Sequence, residues 1–158
     1  MSIDIAYKHL KRYGMEDRIV ELDELSATVE LAAFAIGVEP ARICKTLSFK
    51  LKDGTGILIQ MAGDGKVDNK KYKERFGEKA RMLSPEEVPR YTNHMIGGVC
   101  AFGITREDVQ IYCDESLKRF DTVYPACGSD NSMIELTIEE LYKCSESIGW
   151  VDVCKTQE

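Results

Sequence analysis

Residues 43–51 of this chain, Ile-Cys-Lys-Thr-Leu-Ser-Phe-Lys-Leu, alternate in side-chain character, and a period of two is the mark of an extended strand. The polar turn at 52–56, Lys-Asp-Gly-Thr-Gly, and the apolar run at 57–61 then read as a turn and a returning strand. Strand parity sorts the side chains. Ile43, Lys45, Leu47, Phe49 and Leu51 share one face, and Cys44, Thr46, Ser48 and Lys50 share the other. Lys45 therefore sits in the apolar, core-facing row, where a charge needs a partner, a shifted pKa or a pocket open to water. A pocket lysine anchors a phosphate or carboxylate, or does amine chemistry. The alternative is a lysine at the mouth of the strand that snorkels to solvent.

Around this strand pair the punctuation is dense. A first helix runs to Gly14, residues 18–22 are β-compatible, and a helix over 27–36 stops at Gly37 with Pro40 beyond. A helix over 69–76 ends at Gly77, and Ser84-Pro85-Glu86-Glu87 opens a short helix that ends near Tyr91. Residues 97–103 form a glycine-flanked loop, 110–113 a strand, and Asp114 caps a helical turn over 115–120. Strands at 122–126 and 133–136 flank the turn 127–132. Thr137-Ile138-Glu139-Glu140 is a capping box opening a helix to about Ser145, and 150–153 is a last strand. Short strands interleaved with short helices imply a mixed α/β fold: a curved, partly open, barrel-like mixed sheet flanked by helices. With no repeat, low-complexity tract or linker, residues 1–158 read as a single domain.

Hydrophobic residues make up 44% and charged residues 30%, an ordinary globular balance. The first residues lack the apolar core of a signal peptide, and the longest apolar stretch, 31–38, is too short to cross a membrane. The expectation is a soluble, cytoplasmic protein with no membrane partner. Six cysteines without a C-x-x-C pair, and two histidines, point to reduced thiols rather than to disulfides or zinc. A net charge of −6 argues against indiscriminate nucleic-acid binding. The stretch 66–81 is nonetheless basic, carrying Lys66, Lys70, Lys71, Lys73 and Arg75. It reads either as a solvated helix or as a phosphate-binding face.

Two loops add candidates. Paired Gly97 and Gly98 in the loop 94–103 let a backbone approach a ligand and aim N–H groups at an oxyanion or carbonyl, or simply make a tight turn. Cys127-Gly128-Ser129-Asp130-Asn131-Ser132 is a turn that could also present hydroxyls and N–H groups. There is no G-x-S-x-G elbow, H-E-x-x-H helix, Walker loop or dinucleotide fingerprint. His94 has no evident orienting partner for work as a general base, and Cys44 and Cys100 are conceivable but unremarked thiol nucleophiles.

Taken in order, three stretches resemble the YbaK/prolyl-tRNA-synthetase-associated domain family over most of the chain, about 25–141. They are Ala41-Arg42-Ile43-Cys44-Lys45-Thr46-Leu47, the run Gly97-Gly98-Val99-Cys100-Ala101-Phe102-Gly103, and Tyr124-Pro125-Ala126-Cys127-Gly128-Ser129 followed by Ile134-Glu135-Leu136-Thr137. The resemblance implies a curved, barrel-like α/β fold and a free-standing deacylase. Such an enzyme hydrolyses the ester between tRNA and a wrong amino acid, typically on Ala- or Cys-tRNA(Pro), without metal or cofactor. It implies that Lys45 anchors the acceptor-end phosphate and that backbone N–H groups near Gly97 and Gly98 polarise the ester carbonyl. Thr46, Val99, Cys100, Ala101, Phe102, Gly103, Gly128, Ser129 and Asp130 would shape the pocket, and the basic residues 66–75 would face the acceptor stem. Aminoacyl-tRNA, with proline tRNA foremost, and prolyl-tRNA synthetase are the implied partners. Many members carry Ser-Pro where this chain has Cys100-Ala101, a departure that loosens the loop and bears on amino-acid preference. A rival reading is a non-catalytic aminoacyl-tRNA or nucleotide-binding module that docks on a synthetase. A thiol enzyme using Cys100 is a third.

Overall fold

The computed structural model describes residues 2–22 and 28–155. In chain order the described strands are β1 (Val20–Glu21), β2 (Ile43–Lys50), β3 (Gly56–Ala62), β4 (Val109–Asp114), β5 (Thr122–Pro125), β6 (Ser132–Met133), β7 (Leu136–Thr137) and β8 (Trp150–Val151). The helices are α1 (Ser2–Lys11), α2 (Val29–Ile36), α3 (Asn69–Phe76), α4 (Glu87–Thr92) and α5 (Ile138–Cys144). A mixed sheet runs in the order β7-β5-β2-β3-β4-β8, and β1 pairs separately with β6. β2 and β3 are antiparallel, whereas β5 runs parallel to β2, and β4 parallel to both β3 and β8. This is the mixed α/β fold with a curled, half-barrel sheet that the short interleaved elements imply.

Local chemistry sets the ends of the helices. Thr28 accepts the Leu31 N–H at the start of α2, and Gly37, at φ 73°, closes it; the expected start at Ala27 lies outside the described residues. Asp68 accepts the N–H groups of Lys70 and Lys71 at the start of α3. Thr137 and Glu140 complete the capping box of α5. Each such cap is worth about 1 kcal/mol. Ser84 and Glu87 exchange hydrogen bonds, N–H to Oε1 at 2.9 Å and N–H to Oγ at 3.3 Å, yet the α-helix proper begins only at Glu87. α1 stops at Lys11 rather than Gly14 because the chain tightens there, with Gly14 N–H donating to the Lys11 carbonyl at 3.1 Å.

Both faces of the sheet are covered. On one, Leu47 and Phe49 of β2 pack with Ile57, Ile59 and Met61 of β3 under Tyr72 of α3. On the other, Cys44 packs with Phe102, Cys113 and Leu117, and Leu58 with Ala101 and Ile111. β3 is consequently buried along its whole length, the pattern of a strand with no solvent face. Burying Phe49 or Phe102 contributes roughly 1.5–3 kcal/mol each.

Candidate functional site

Lys45 sits where the parity of its strand places it, on the face of Leu47 and Phe49, and its cross-strand partner is the core residue Met61. On that face Ile43 packs under Ala32 and Ala33 of α2, whereas Leu47 and Phe49 pack with α3. Lys45 falls between the two clusters and is half-buried. Burial pulls its pKa down; the fields of Cys154, Asp64 and Glu30 oppose this, and Lys66 adds to it. No described acidic group comes within ion-pairing distance of its ammonium.

A break in the sheet opens beside it. β5 pairs with β2 only through Ile43↔Tyr124 and Cys44↔Pro125. Further along β2, the segment 81–83 takes over, with the Lys50 N–H donating to the Arg81 carbonyl at 2.9 Å and the Leu83 N–H to the Ser48 carbonyl at 3.1 Å. Between these two stretches lies a cavity of about 320 Å³. Its floor is Lys45, Thr46, Leu47 and Ser48; its walls include Met82 and Leu83, Ile96, Gly97 and Val99, Ala126 and Ser129, and Val29 and Ala32 of α2.

The two glycine turns meet behind this cavity. A Cβ on Gly98 would lie 2.6 Å from both Gly128 C and Ser129 N, so no side chain fits there without driving the turns apart. Gly97 and Gly128 hold φ of 98° and 89°, which glycine adopts without steric cost. Gly98 N–H is already engaged, donating to the Met95 carbonyl at 3.0 Å. Its role is close packing, and Ile96, Gly97 and Val99 are the loop residues that reach the lining. Ser129 lines the cavity with its hydroxyl bonded to Asn131 Oδ1 at 2.8 Å and to Ser132 Oγ at 2.6 Å.

The rest of the expected loop turns away. Cys100, Ala101 and Phe102 are buried in the core on the far face of the sheet and do not line the cavity; nor do Gly103 and Asp130. The peptide joining Phe102 to Gly103 is clamped between two imidazoles. His94 Nε2 donates to the Phe102 carbonyl at 2.6 Å, and His9 Nδ1 accepts the Gly103 N–H at 2.9 Å. His94 is therefore a buried structural residue with its pKa lowered by burial, not a base facing the cavity. Burial likewise pushes the Cys100 thiol up to about 12 and that of Cys44 well above its ordinary value, so neither is a thiolate near neutrality.

The basic stretch divides. Lys66, Lys70, Lys73 and Arg75 are exposed, with Arg75 lying over the rings of Phe76 and Tyr112, whereas Lys71 is tied to Asp152 and to the Cys154 carbonyl. None of the five lines the cavity. Three features carried no sequence signal: the wall at 82–83, the contact of Gly98 with Gly128, and the histidine clamp. All three are contacts between segments far apart in the chain.

A family model described as the aminoacyl-tRNA editing domain matches residues 23–144, and the chain belongs to that family. It is similar to the protein YwhH of Bacillus subtilis (strain 168), named as uncharacterised, at 52% identity over 100% of both chains. It is also similar, at 28% identity over 75% of this chain and 71% of the relative, to EbsC of Enterococcus faecalis (strain ATCC 700802 / V583), described as a candidate Cys-tRNA(Pro)/Cys-tRNA(Cys) deacylase. Among solved structures, one described as a candidate trans-editing enzyme for prolyl tRNA synthetase superposes with a TM-score of 0.88 at 28% identity, covering 98% of each chain. No described helix is long and apolar enough to cross a membrane.

Proposed function

We propose that this protein is a trans-acting aminoacyl-tRNA deacylase that clears mischarged Ala- or Cys-tRNA(Pro), working in the cytoplasm with residues 1–158 as one domain. The observation that carries the reading is Lys45, a half-buried ammonium without a described acidic partner on the floor of a cavity walled by backbone. Such a group is poised for an anionic ligand, and the acceptor-end phosphate of tRNA supplies one. The descriptions of EbsC and of the trans-editing structure support the choice of proline tRNA. Six buried, free cysteines suit a reducing compartment.

In this reading Lys45 positions the substrate, while Gly97, Val99 and Ser129 bound the space for the amino acid. A water oxygen attacks the ester carbonyl carbon, the bond to the ribose oxygen breaks, and that oxygen leaves with a proton. The described lining offers hydroxyls at Thr28, Thr46, Ser48, Tyr124, Ser129 and Ser132 but no carboxylate or imidazole. The work of the site is thus positioning and dipolar stabilisation, with water and the substrate's own hydroxyl carrying the proton. The exposed Lys66, Lys70, Lys73 and Arg75, with Lys71, would steer the acceptor stem.

The test is to incubate the purified protein with a panel of mischarged tRNAs. Release of alanine or cysteine from proline tRNA, with correctly charged Pro-tRNA spared, is the expected result. Binding of these tRNAs without release from any of them would favour a non-catalytic module that docks on a synthetase.

A further inference from the structure

The floor of the cavity is a bare strand edge one residue wide. In β2 the polar groups of Ser48 and Lys50 point away from β3, since the Ser48 carbonyl accepts from Leu83 and the Lys50 N–H donates to Arg81. Backbone groups alternate sides along a strand, so the N–H and C=O of Thr46 point the same way, into the break. No described residue takes either group: pairing with β5 ends at Cys44↔Pro125, and pairing with 81–83 begins at Ser48. Thr46 also lines the cavity beside Lys45.

We infer that Thr46 pairs with the aminoacyl group of the substrate as one strand residue pairs with another. The inference rests on the deacylase reading above. In an antiparallel pair, two residues exchange both N–H···O bonds. The α-ammonium of the bound amino acid donates to the Thr46 carbonyl, and its ester carbonyl accepts the Thr46 N–H, a fixed donor on the oxygen that becomes the oxyanion. A longer peptide strand does not fit, because the edge is closed by Pro125 at one end and by Leu83 at the other. The guest side chain falls on the face of Thr46, between the buried Cys44 and Ser48, which suits a small, uncharged group such as that of alanine or cysteine. Lys45 points to the opposite face and is left for the phosphate.

The test has two arms. In the first, the backbone amide of Thr46 is replaced by an ester through incorporation of the corresponding α-hydroxy acid. This removes an N–H that no described residue uses and weakens only the Lys45 carbonyl as an acceptor toward β3, so the fold is kept with a small drop in melting temperature, while the single-turnover deacylation rate falls roughly 100-fold. In the second, the intact protein is titrated with 3′-alanylamino-3′-deoxyadenosine, a non-hydrolysable analogue, and followed by amide NMR. The Thr46 amide should shift downfield and become protected from exchange. Deacylation at an unchanged rate by the ester-substituted protein overturns this inference and leaves the deacylase reading intact, as does an unmoved Thr46 amide at saturation. Absence of deacylation by the wild-type protein overturns that reading and this inference with it.

Discussion

Residues 95–99 and 100–103 belong to one loop, yet their surroundings have little in common. Met95 and Ile96 are each 64% exposed, with Ile96 lining the cavity, whereas Cys100, Ala101 and Phe102 are exposed by 1% or less. The first half is held by a turn hydrogen bond and by backbone packing of Gly98 on Gly128. The second is held by burial and by imidazoles on both sides of one peptide. The near half can shape a ligand site because the far half is anchored in the core. A substitution should therefore act on activity or on stability according to which half it strikes.

The sharpest way to break the comparison is to strike each half in turn. Phe102→Ala leaves a cavity in the core and should cost about 3–5 kcal/mol in denaturant unfolding. Gly98→Ala, whose methyl meets the Gly128 backbone at 2.6 Å, should displace the cavity wall and lower kcat/KM roughly 100-fold, with an overpacking cost of about 1–3 kcal/mol in stability. Equal effects of the two on both readouts would dissolve the division.

The histidine clamp gives the next largest effect. Burial lowers the pKa of both His9 and His94 from 6.5. Above that value both are neutral in the folded and unfolded chains alike. Below it the unfolded chain binds protons first, so stability falls as pH drops from 6.5 toward the lower folded values, by up to about 1.4 kcal/mol per pH unit per group. Denaturant melts from about pH 7.5 to about pH 5 should show this slope, and His94→Gln should make it shallower. The smallest effect belongs to Cys100→Ser. A buried thiol outside the cavity should be replaceable with activity within about twofold and a stability loss of about 1 kcal/mol. Loss of activity in a folded Cys100→Ser protein would restore the thiol reading.

Much of the frame was legible in the sequence because its signals are local. The alternation at 43–51 located β2 and put Lys45 on the correct face, and Gly77 marked the end of α3 where the structure has it. The site was legible only in part. Sequence order grouped 97–103 as a single pocket segment, but irregular backbone has no period from which side-chain direction can be read, and the loop reverses its allegiance at Cys100. The 82–83 wall, the meeting of Gly98 with Gly128 and the bare edge at Thr46 depend on which strands stop pairing where, and that is fixed by tertiary packing.

If Lys45 positions a mischarged tRNA for hydrolysis in this cavity, removing its ammonium stops release without unfolding the protein. Single-turnover release of alanine or cysteine from proline tRNA by wild-type and Lys45→Ala proteins tests it most directly. Release by the wild type and a loss of roughly 100-fold or more in Lys45→Ala, with melting unchanged, is the expected result. Release at the wild-type rate by Lys45→Ala would contradict it.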